Sequence, residues 1–210
     1  MDFSFSFKKK PEGMGGSQPK KENPAETQFN LIRGCGLNLS GHTQLKDIVA
    51  GVDESLFESS PFAGVLALMG SPTEEGEPRS DDVWLYQAAE ETSPDELAAI
   101  AFNLARLTKG TLALDEIGAG VDEERGVVIV SFTLDGEQSG FELDPNEGEL
   151  VASTFAIVGG MMEERGDGAK LAFTDAEGLG RIFVFLQPQE LGELAETTQL
   201  EWGYVIEAAE

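Results

Sequence analysis

The chain has 210 residues, with 14 Lys or Arg against 39 Asp or Glu, so its formal net charge is −25. This charge excludes nucleic-acid binding through phosphate neutralisation, because such binding needs a basic surface. Hydrophobic residues make up 40% of the chain, which is enough for a core and excludes a wholly disordered acidic protein. The length fits one large domain or two small ones.

The first 21 residues differ in composition from the rest. They carry five Lys and two acidic residues, a net charge of +3, whereas the remaining nine basic and 37 acidic residues give −28. This segment is rich in Gly, Ser, Pro and Lys, a composition that cannot bury enough apolar surface to order itself. We predict a disordered basic tail over residues 1–28. A single acidic α+β domain follows over residues 29–210, or two parts that divide near residue 90, 29–90 and 91–210.

The tail begins with an alternating aromatic pattern, Phe3, Phe5 and Phe7, followed by three Lys. Three interpretations remain open: the tail lies against its own acidic body, it adds as a short strand to a partner's sheet edge, or its Phe residues do nothing specific. The charges follow the apolar residues, which reverses the order of a secretory signal. The longest apolar run, residues 62–69, is too short for a membrane helix. We therefore expect a soluble, cytoplasmic protein with no membrane partner.

The predicted elements begin with an extended segment over 29–39 and a short helix whose apolar residues recur from Leu45 to Val52. Ser93, followed by Pro and with Glu96 three residues later, predicts a capped helix that ends near Lys109. Asp144 repeats this pattern before a helix that ends at 165, and Pro188 opens a helix that ends near 198. The predicted strands cover residues 65–69, 83–86, 111–117, 127–134, 139–143, 170–174, 181–186 and 200–206.

Short turns connect most of these strands. Asp135-Gly136 is a hairpin signal, and Gly118-Ala119-Gly120 is interpreted as a turn rather than a phosphate-binding loop. Gly159-Gly160, inside a predicted helix, is tolerable if another backbone packs close there. The element order predicts an α+β fold with a largely antiparallel sheet and three to four helices.

The sequence offers little catalytic chemistry. It contains one Cys, Cys35, and one His, His42, which excludes a Cys/His zinc site and a disulfide framework. The glycines that flank Cys35 favour a structural role over a nucleophilic one. None of the acidic clusters has the ligand spacing of a known metal loop. We therefore predict no enzyme activity, no metal site and no cofactor.

The charge is the strongest functional signal. A net charge of this size is typical either of a protein adapted to high salt or to high solubility, or of a protein that binds a basic partner surface. The loop over residues 70–79 and the two Asp residues beyond it supply exposed carboxylates. Phe102 lies about 140° around its helix from the apolar stripe that contains Leu97, at a position where an amphipathic helix has polar residues. Either a second packed layer or an exposed contact patch would explain an aromatic residue there. The candidate partner-binding residues are Phe3, Phe5, Phe7, Glu74, Glu75, Glu77, Asp81, Asp82 and Phe102.

From Ser93 to Thr198, the element order resembles the type III secretion chaperone-like fold, and Leu112-Ala113-Leu114-Asp115 is the one local echo. Small bacterial immunity proteins look similar at this level. The resemblance implies a small acidic protein that binds a partner chain without catalysis, and it assigns no individual residue. We therefore expect a non-enzymatic, chaperone-like or immunity-like protein that engages a basic region of a partner protein, with a homodimer also compatible. The alternatives are an assembly subunit anchored by the N-terminal arm and an enzyme that uses carboxylates and a metal.

Overall fold

A computed structural model describes residues 23–41, 43–146 and 149–206. Residues 1–22 of the tail predicted over 1–28, including Phe3, Phe5 and Phe7, lie outside the described residues, as does His42. The α+β class with antiparallel strands is confirmed. The described residues form seven helices rather than three to four, because every regular element before residue 71 is a helix.

The first element of the described residues is a helix, α1 (Pro24–Gly34). Asn23 caps it, since its side chain accepts a hydrogen bond from the Ala25 amide at 3.0 Å, and Pro24 occupies the first turn. The predicted extended segment over 29–39 is therefore wrong for its first half. The predicted end of the tail at residue 28 is also wrong, because residues 24–28 belong to this helix.

Three short helices follow: α2 (Leu45–Ile48), α3 (Ser55–Ser59) and α4 (Ala63–Gly70). The strand predicted over 65–69 is wrong, because this segment is the core of α4. All eight residues of α4 are buried. A helix that is apolar on every side carries no periodicity, so the sequence pattern could not distinguish it from a buried strand.

Four strands form the first sheet: β1 (Val83–Tyr86), β5 (Lys170–Ala176), β6 (Gly180–Leu186) and β7 (Gly203–Tyr204). Their order is β1-β6-β5-β7, and every neighbouring pair is antiparallel. The strand predicted over 200–206 is reduced to the two residues of β7. The other three predicted strands are confirmed, with β5 and β6 slightly longer than expected.

The second sheet is a three-stranded meander of β2 (Leu114–Asp122), β3 (Val127–Leu134) and β4 (Glu137–Leu143). Asp135 and Gly136 both have positive φ, 54° and 84°, as the turn of a two-residue hairpin requires, which confirms that prediction. The interpretation of Gly118-Ala119-Gly120 as a turn is wrong. These residues lie inside β2, and the chain reverses later, between Asp122 and Val127.

The longer helices are α5 (Pro94–Leu107), α6 (Leu150–Arg165) and α7 (Pro188–Thr198). Ser93 caps α5 as predicted, since its hydroxyl accepts from the Glu96 amide at 3.2 Å. Helix α6 starts later than predicted, because Asp144 caps a local turn by accepting from the Asn146 amide at 2.8 Å.

The close approach expected at the two glycines of α6 involves side chains rather than backbone. A Cβ on Gly159 would lie 3.2 Å from a Leu171 methyl group, and one on Gly160 would lie 3.7 Å from Ile206 Cδ1. The small residues therefore accommodate β5 and the segment that follows β7.

The first sheet separates two cores. Its alternating residues point to opposite faces, as the period of a strand requires. Helices α1 to α4 and α7 pack on one face, with Val83, Ile182 and Val184. Helices α5 and α6 pack on the other face, with Trp84 and Phe183, and the second sheet covers them from the far side. The fold is therefore layered, with α5 and α6 between two sheets.

Candidate functional site

Helix α5 and the start of β2 border an open groove of about 470 Å³. We call it the β2 groove, and it is lined by Ala98, Ala99, Phe102, Leu114, Asp115, Glu116 and Ile117. Five of these seven residues are apolar, and the two charged ones are both carboxylates. Since the groove combines apolar and acidic side chains, it is a candidate binding surface.

Phe102 is the most prominent side chain of the β2 groove. Leu97, Ile100 and Leu104 face the second core and are almost fully buried, so residue 102 points away from that core. Phe102 is 52% exposed. Phe102 is therefore not covered by a second packed layer: β2 approaches it at Leu114 to Ile117, but the groove between them stays open.

A β-bulge shapes the other wall of the groove. Asp115 pairs with Thr133 and Gly118 pairs with Ser131, so β2 has one more residue than β3 between these pairs. Glu116 lies at this irregularity with φ of 51°, a left-handed conformation that a non-glycine residue adopts at a cost. The Thr133 hydroxyl donates a hydrogen bond to Glu116 Oε2 at 2.9 Å, which supports the strained residue from the neighbouring strand.

Strand β2 lies at an edge of its sheet. Among the described residues, β3 is its only neighbouring strand, and no residue of β2 is fully buried. Ile117 and Ala119 pack partly against the second core, and Val121, next in the same alternation, is 59% exposed. On the other face, Gly118 and Gly120 leave the backbone uncovered beside a second depression of about 420 Å³. Such an edge offers backbone groups for pairing with another strand.

Acidic residues lie at both ends of β2. Asp115 and Glu116 are exposed at its start, and Asp122 to Glu124 lead into the turn at its end. Arg125, in the same turn, forms a bidentate ion pair with Glu142 of β4. This pair holds the pKa of Glu142 below its usual range, because Arg125 hydrogen-bonds to its carboxylate. Because acidic residues lie at the start and at the end of β2, a cationic group that binds along this strand has carboxylates near it at both ends.

The structure separates the five carboxylates predicted around the loop. Glu74, Glu75 and Glu77 are exposed on a tight turn, which the Thr73 amide closes by donating to the Glu77 carbonyl at 2.7 Å. An isolated bridge between Pro72 and Pro78 closes the same loop. All three side chains are exposed, and the charge of Glu74 acts on Arg79, where it opposes the lowering of the Arg79 pKa by burial.

Asp82, in contrast, belongs to the interior. Its side chain is 7% exposed, it forms an ion pair with Lys109, and it accepts a hydrogen bond from the Asn38 amide at 2.7 Å. Asp81 is exposed and lies 3.7 Å from the Arg106 guanidinium, which also donates to the Ser80 carbonyl. Burial lowers the pKa of Arg106, and Asp81 opposes this effect. The expectation that all five carboxylates are surface groups is therefore wrong for Asp82, which ties α5 to the segment before β1.

A second polar contact lies at the opposite end of α5. Tyr86 donates a hydrogen bond to Glu96 Oε1 at 2.8 Å, and the Ala89 amide donates to the same oxygen at 3.4 Å. Burial raises the pKa of Tyr86 well above its usual range, and the Glu96 hydrogen bond adds to this effect. Glu96 was expected to complete a capping box with Ser93, but its carboxylate bonds to Tyr86 and Ala89 instead. These contacts anchor α5 to the first sheet and so hold the groove wall in place.

The remaining sequence candidates do not converge on the groove. The Cys35 thiol is half-buried, and it lies 3.4 Å from Thr197 Oγ1 and contacts the Leu31 carbonyl. In the described part of the chain, no group of three or more His, Cys, Asp or Glu side chains is arranged to hold a metal ion. None of the helices in residues 23–206 that the structure describes is long and apolar enough to cross a membrane.

Comparisons of the chain with protein-family models, with curated proteins and with solved structures find no match. The site is therefore defined by its own geometry. Sequence reasoning found Phe102 but missed the edge of β2 and its bulge. The available signal was the pair of glycines at 118 and 120, since glycine within a strand often marks a bulge or the close approach of another backbone.

Proposed function

We propose that this protein is a non-enzymatic, acidic protein-binding protein, and that its β2 groove engages a basic region of a partner protein. The observation that carries the proposal is Phe102, an aromatic side chain half-exposed in a mostly apolar groove whose charged lining residues, Asp115 and Glu116, are both acidic. Aromatic side chains of this kind supply much of the binding energy in protein interfaces when a partner covers them.

The net charge of the chain supports a basic partner. A charge of −25 raises the encounter rate with a cationic surface and repels acidic proteins. Asp115 and Glu116 place part of this charge in the lining of the β2 groove itself. Rim charges of this kind chiefly affect the association rate and its salt dependence, whereas the aromatic centre affects the dissociation rate.

The edge of β2 adds a third element. An extended partner segment that pairs with this edge would place alternate side chains over Phe102, Ile117 and Ala119. The resemblance to secretion chaperones and immunity proteins, which bind a partner chain, is consistent with this mode. We also propose a cytoplasmic location, on the sequence grounds given above.

Site-specific photo-crosslinking tests the proposal. We would place p-benzoylphenylalanine at position 102 of the full chain and, as a matched control, at position 31, where Leu31 of α1 is 48% exposed. Both variants would be irradiated in cells of the source organism. We expect position 102, but not position 31, to capture a protein whose crosslinked peptide is basic.

The captured contact should also weaken in lysate as salt is raised to ~0.5 M, where exposed charges are largely screened. Equal capture at both positions, capture of an acidic surface, or capture that is insensitive to salt would contradict the proposal.

A further inference from the structure

We infer that residues 3–10 of the same chain bind the β2 groove as an added strand and so compete with the partner for it. This inference rests on the proposed function, since it assigns a regulatory ligand to the same site. The occupant is a named segment that lies outside the described residues, which begin at Asn23.

Charge complementarity is the first argument. Residues 8–10 are three consecutive Lys, and the first 21 residues carry a net charge of +3 against −28 on the rest of the chain. Carboxylates lie at both ends of β2, Asp115 and Glu116 at its start and Asp122 to Glu124 at its end. Whether residues 3–10 pair with β2 in parallel or in antiparallel orientation, the Lys residues therefore lie near carboxylates at one end of β2.

The side-chain pattern is the second argument. Phe3, Phe5 and Phe7 alternate with Ser4 and Ser6, so in a strand all three Phe lie on one face. Beside β2, that face continues the apolar row of Ile117, Ala119 and Val121, of which Ile117 shares the groove with Phe102. The small Ser side chains then lie on the face where Gly118 and Gly120 leave little side-chain bulk.

The reach of the segment is the third argument. Phe7 precedes Asn23 by about 16 residues, which extend to at most ~55 Å at ~3.4 Å per residue. A body of about 190 residues has a radius of gyration of ~16 Å and so a diameter of ~40 Å. The extended segment is therefore longer than the width of its own body and can reach most of its surface. Tethering gives it an effective concentration in the millimolar range, so even a weak contact would occupy much of the groove.

Nuclear magnetic resonance of the full ¹⁵N-labelled chain tests the inference without any partner. The test variant is Phe3→Ser/Phe5→Ser/Phe7→Ser, and the control is Met14→Ser, which alters the same tail outside the aromatic pattern. We expect the triple variant, but not the control, to shift the amide signals of residues 114–121 and of Phe102. Unchanged signals there, or shifts confined to other residues, would overturn the inference.

A synthetic peptide of residues 1–11 provides the second measurement. We expect it to bind the triple variant at residues 114–121 with at least ~3-fold higher affinity than it binds the wild type, because tethered residues occupy part of the wild-type groove. Phe102→Ala in the triple variant should abolish that binding. Equal affinities for the two chains would overturn the inference.

Varying the protein concentration distinguishes binding of residues 3–10 within one chain from binding of the same residues of a second copy. The wild-type spectrum should stay the same from ~20 to ~500 μM, since a tethered contact does not depend on concentration. A contact that is lost on dilution would assign the segment to another copy and overturn binding within one chain. These readouts do not use a partner protein, so a failure of residues 3–10 to bind can be distinguished from a failure of the groove to bind a partner.

Discussion

The hydroxyl of Thr133 donates a hydrogen bond to Glu116 Oε2 at 2.9 Å, and the accepting residue has φ of 51°. A strained residue of one strand is thus held by a side chain of its neighbour, at the wall of the β2 groove. The cost of the left-handed conformation is about 1–2 kcal/mol for a residue with a Cβ. An exposed hydrogen bond offsets about 0.5–1 kcal/mol of this conformational cost.

The first prediction separates these two effects. Thr133→Val removes only the hydrogen bond and should destabilise the protein by at most about 1 kcal/mol. In that background, Glu116→Gly should stabilise the protein by about 0.5–1 kcal/mol, because glycine adopts positive φ without steric cost. Urea unfolding followed by circular dichroism measures both changes. A loss of stability on Glu116→Gly in the Thr133→Val background would show that the residue is not strained.

The second prediction concerns the difference between buried and exposed carboxylates. Asp82→Ala should destabilise the protein by about 2–3 kcal/mol, because it leaves the Asn38 amide and Lys109 without their partner. Glu75→Ala, on the exposed turn, should change stability by less than about 0.5 kcal/mol. Thermal unfolding of the two variants side by side provides the comparison, and similar losses in both would contradict the buried position of Asp82.

The third prediction uses two helical glycines in different surroundings. A Cβ on Gly70, at the end of α4, would lie 2.5 Å from the Leu85 backbone nitrogen, whereas one on Gly192 of α7 would meet nothing within 4 Å. Gly70→Ala should therefore destabilise the protein by about 2–3 kcal/mol through overpacking. Gly192→Ala should stabilise it by about 0.5–1 kcal/mol through helix propensity. A tolerated Gly70→Ala would mean that α4 and β1 do not pack as described.

The fourth prediction concerns pH. The raised pKa of Tyr86 means that folding favours the neutral phenol. The associated stability is complete below the ordinary tyrosine pKa of about 10 and is lost as the pH rises through the folded value. In a Tyr204→Phe background, where Tyr86 is the one remaining tyrosine, ultraviolet absorbance should show ionisation only well above pH ~10. Glu96→Gln should bring the titration closer to the ordinary value. An unchanged titration in that variant would contradict the Tyr86–Glu96 contact, and an ordinary titration without the substitution would contradict the burial of Tyr86.

The sequence predicted elements well where local signals agreed with tertiary packing. The cap at Ser93, the hairpin at Asp135 and the start of α7 at Pro188 are local features, and all three are confirmed. Prediction failed at α4, whose residues are apolar on every side and carry no period. It also failed at Asp144, because a cap residue stabilises an isolated turn as readily as a helix.

The site was less predictable than the fold. Phe102 was identifiable because it breaks the apolar stripe of α5, but its exposure depends on how the second sheet sits on that helix. The bulge at Glu116 depends on the register between β2 and β3; Gly118 and Gly120 signal an irregular strand, but they do not specify that register. Burial of Asp82 likewise depends on Asn38 and Lys109, which are distant in sequence.

The most direct test is the association rate with the protein that crosslinks at position 102, measured by stopped-flow fluorescence at several salt concentrations. Asp115→Lys/Glu116→Lys reverses the charge at the groove, and Glu193→Lys/Glu196→Lys makes the same change on exposed residues of α7, in the other core layer. We predict that the groove variant associates at least ~10-fold more slowly at low salt and loses most of its salt dependence, while the α7 variant changes less than ~3-fold. Equal effects of the two variants would show that the β2 groove is not the binding site.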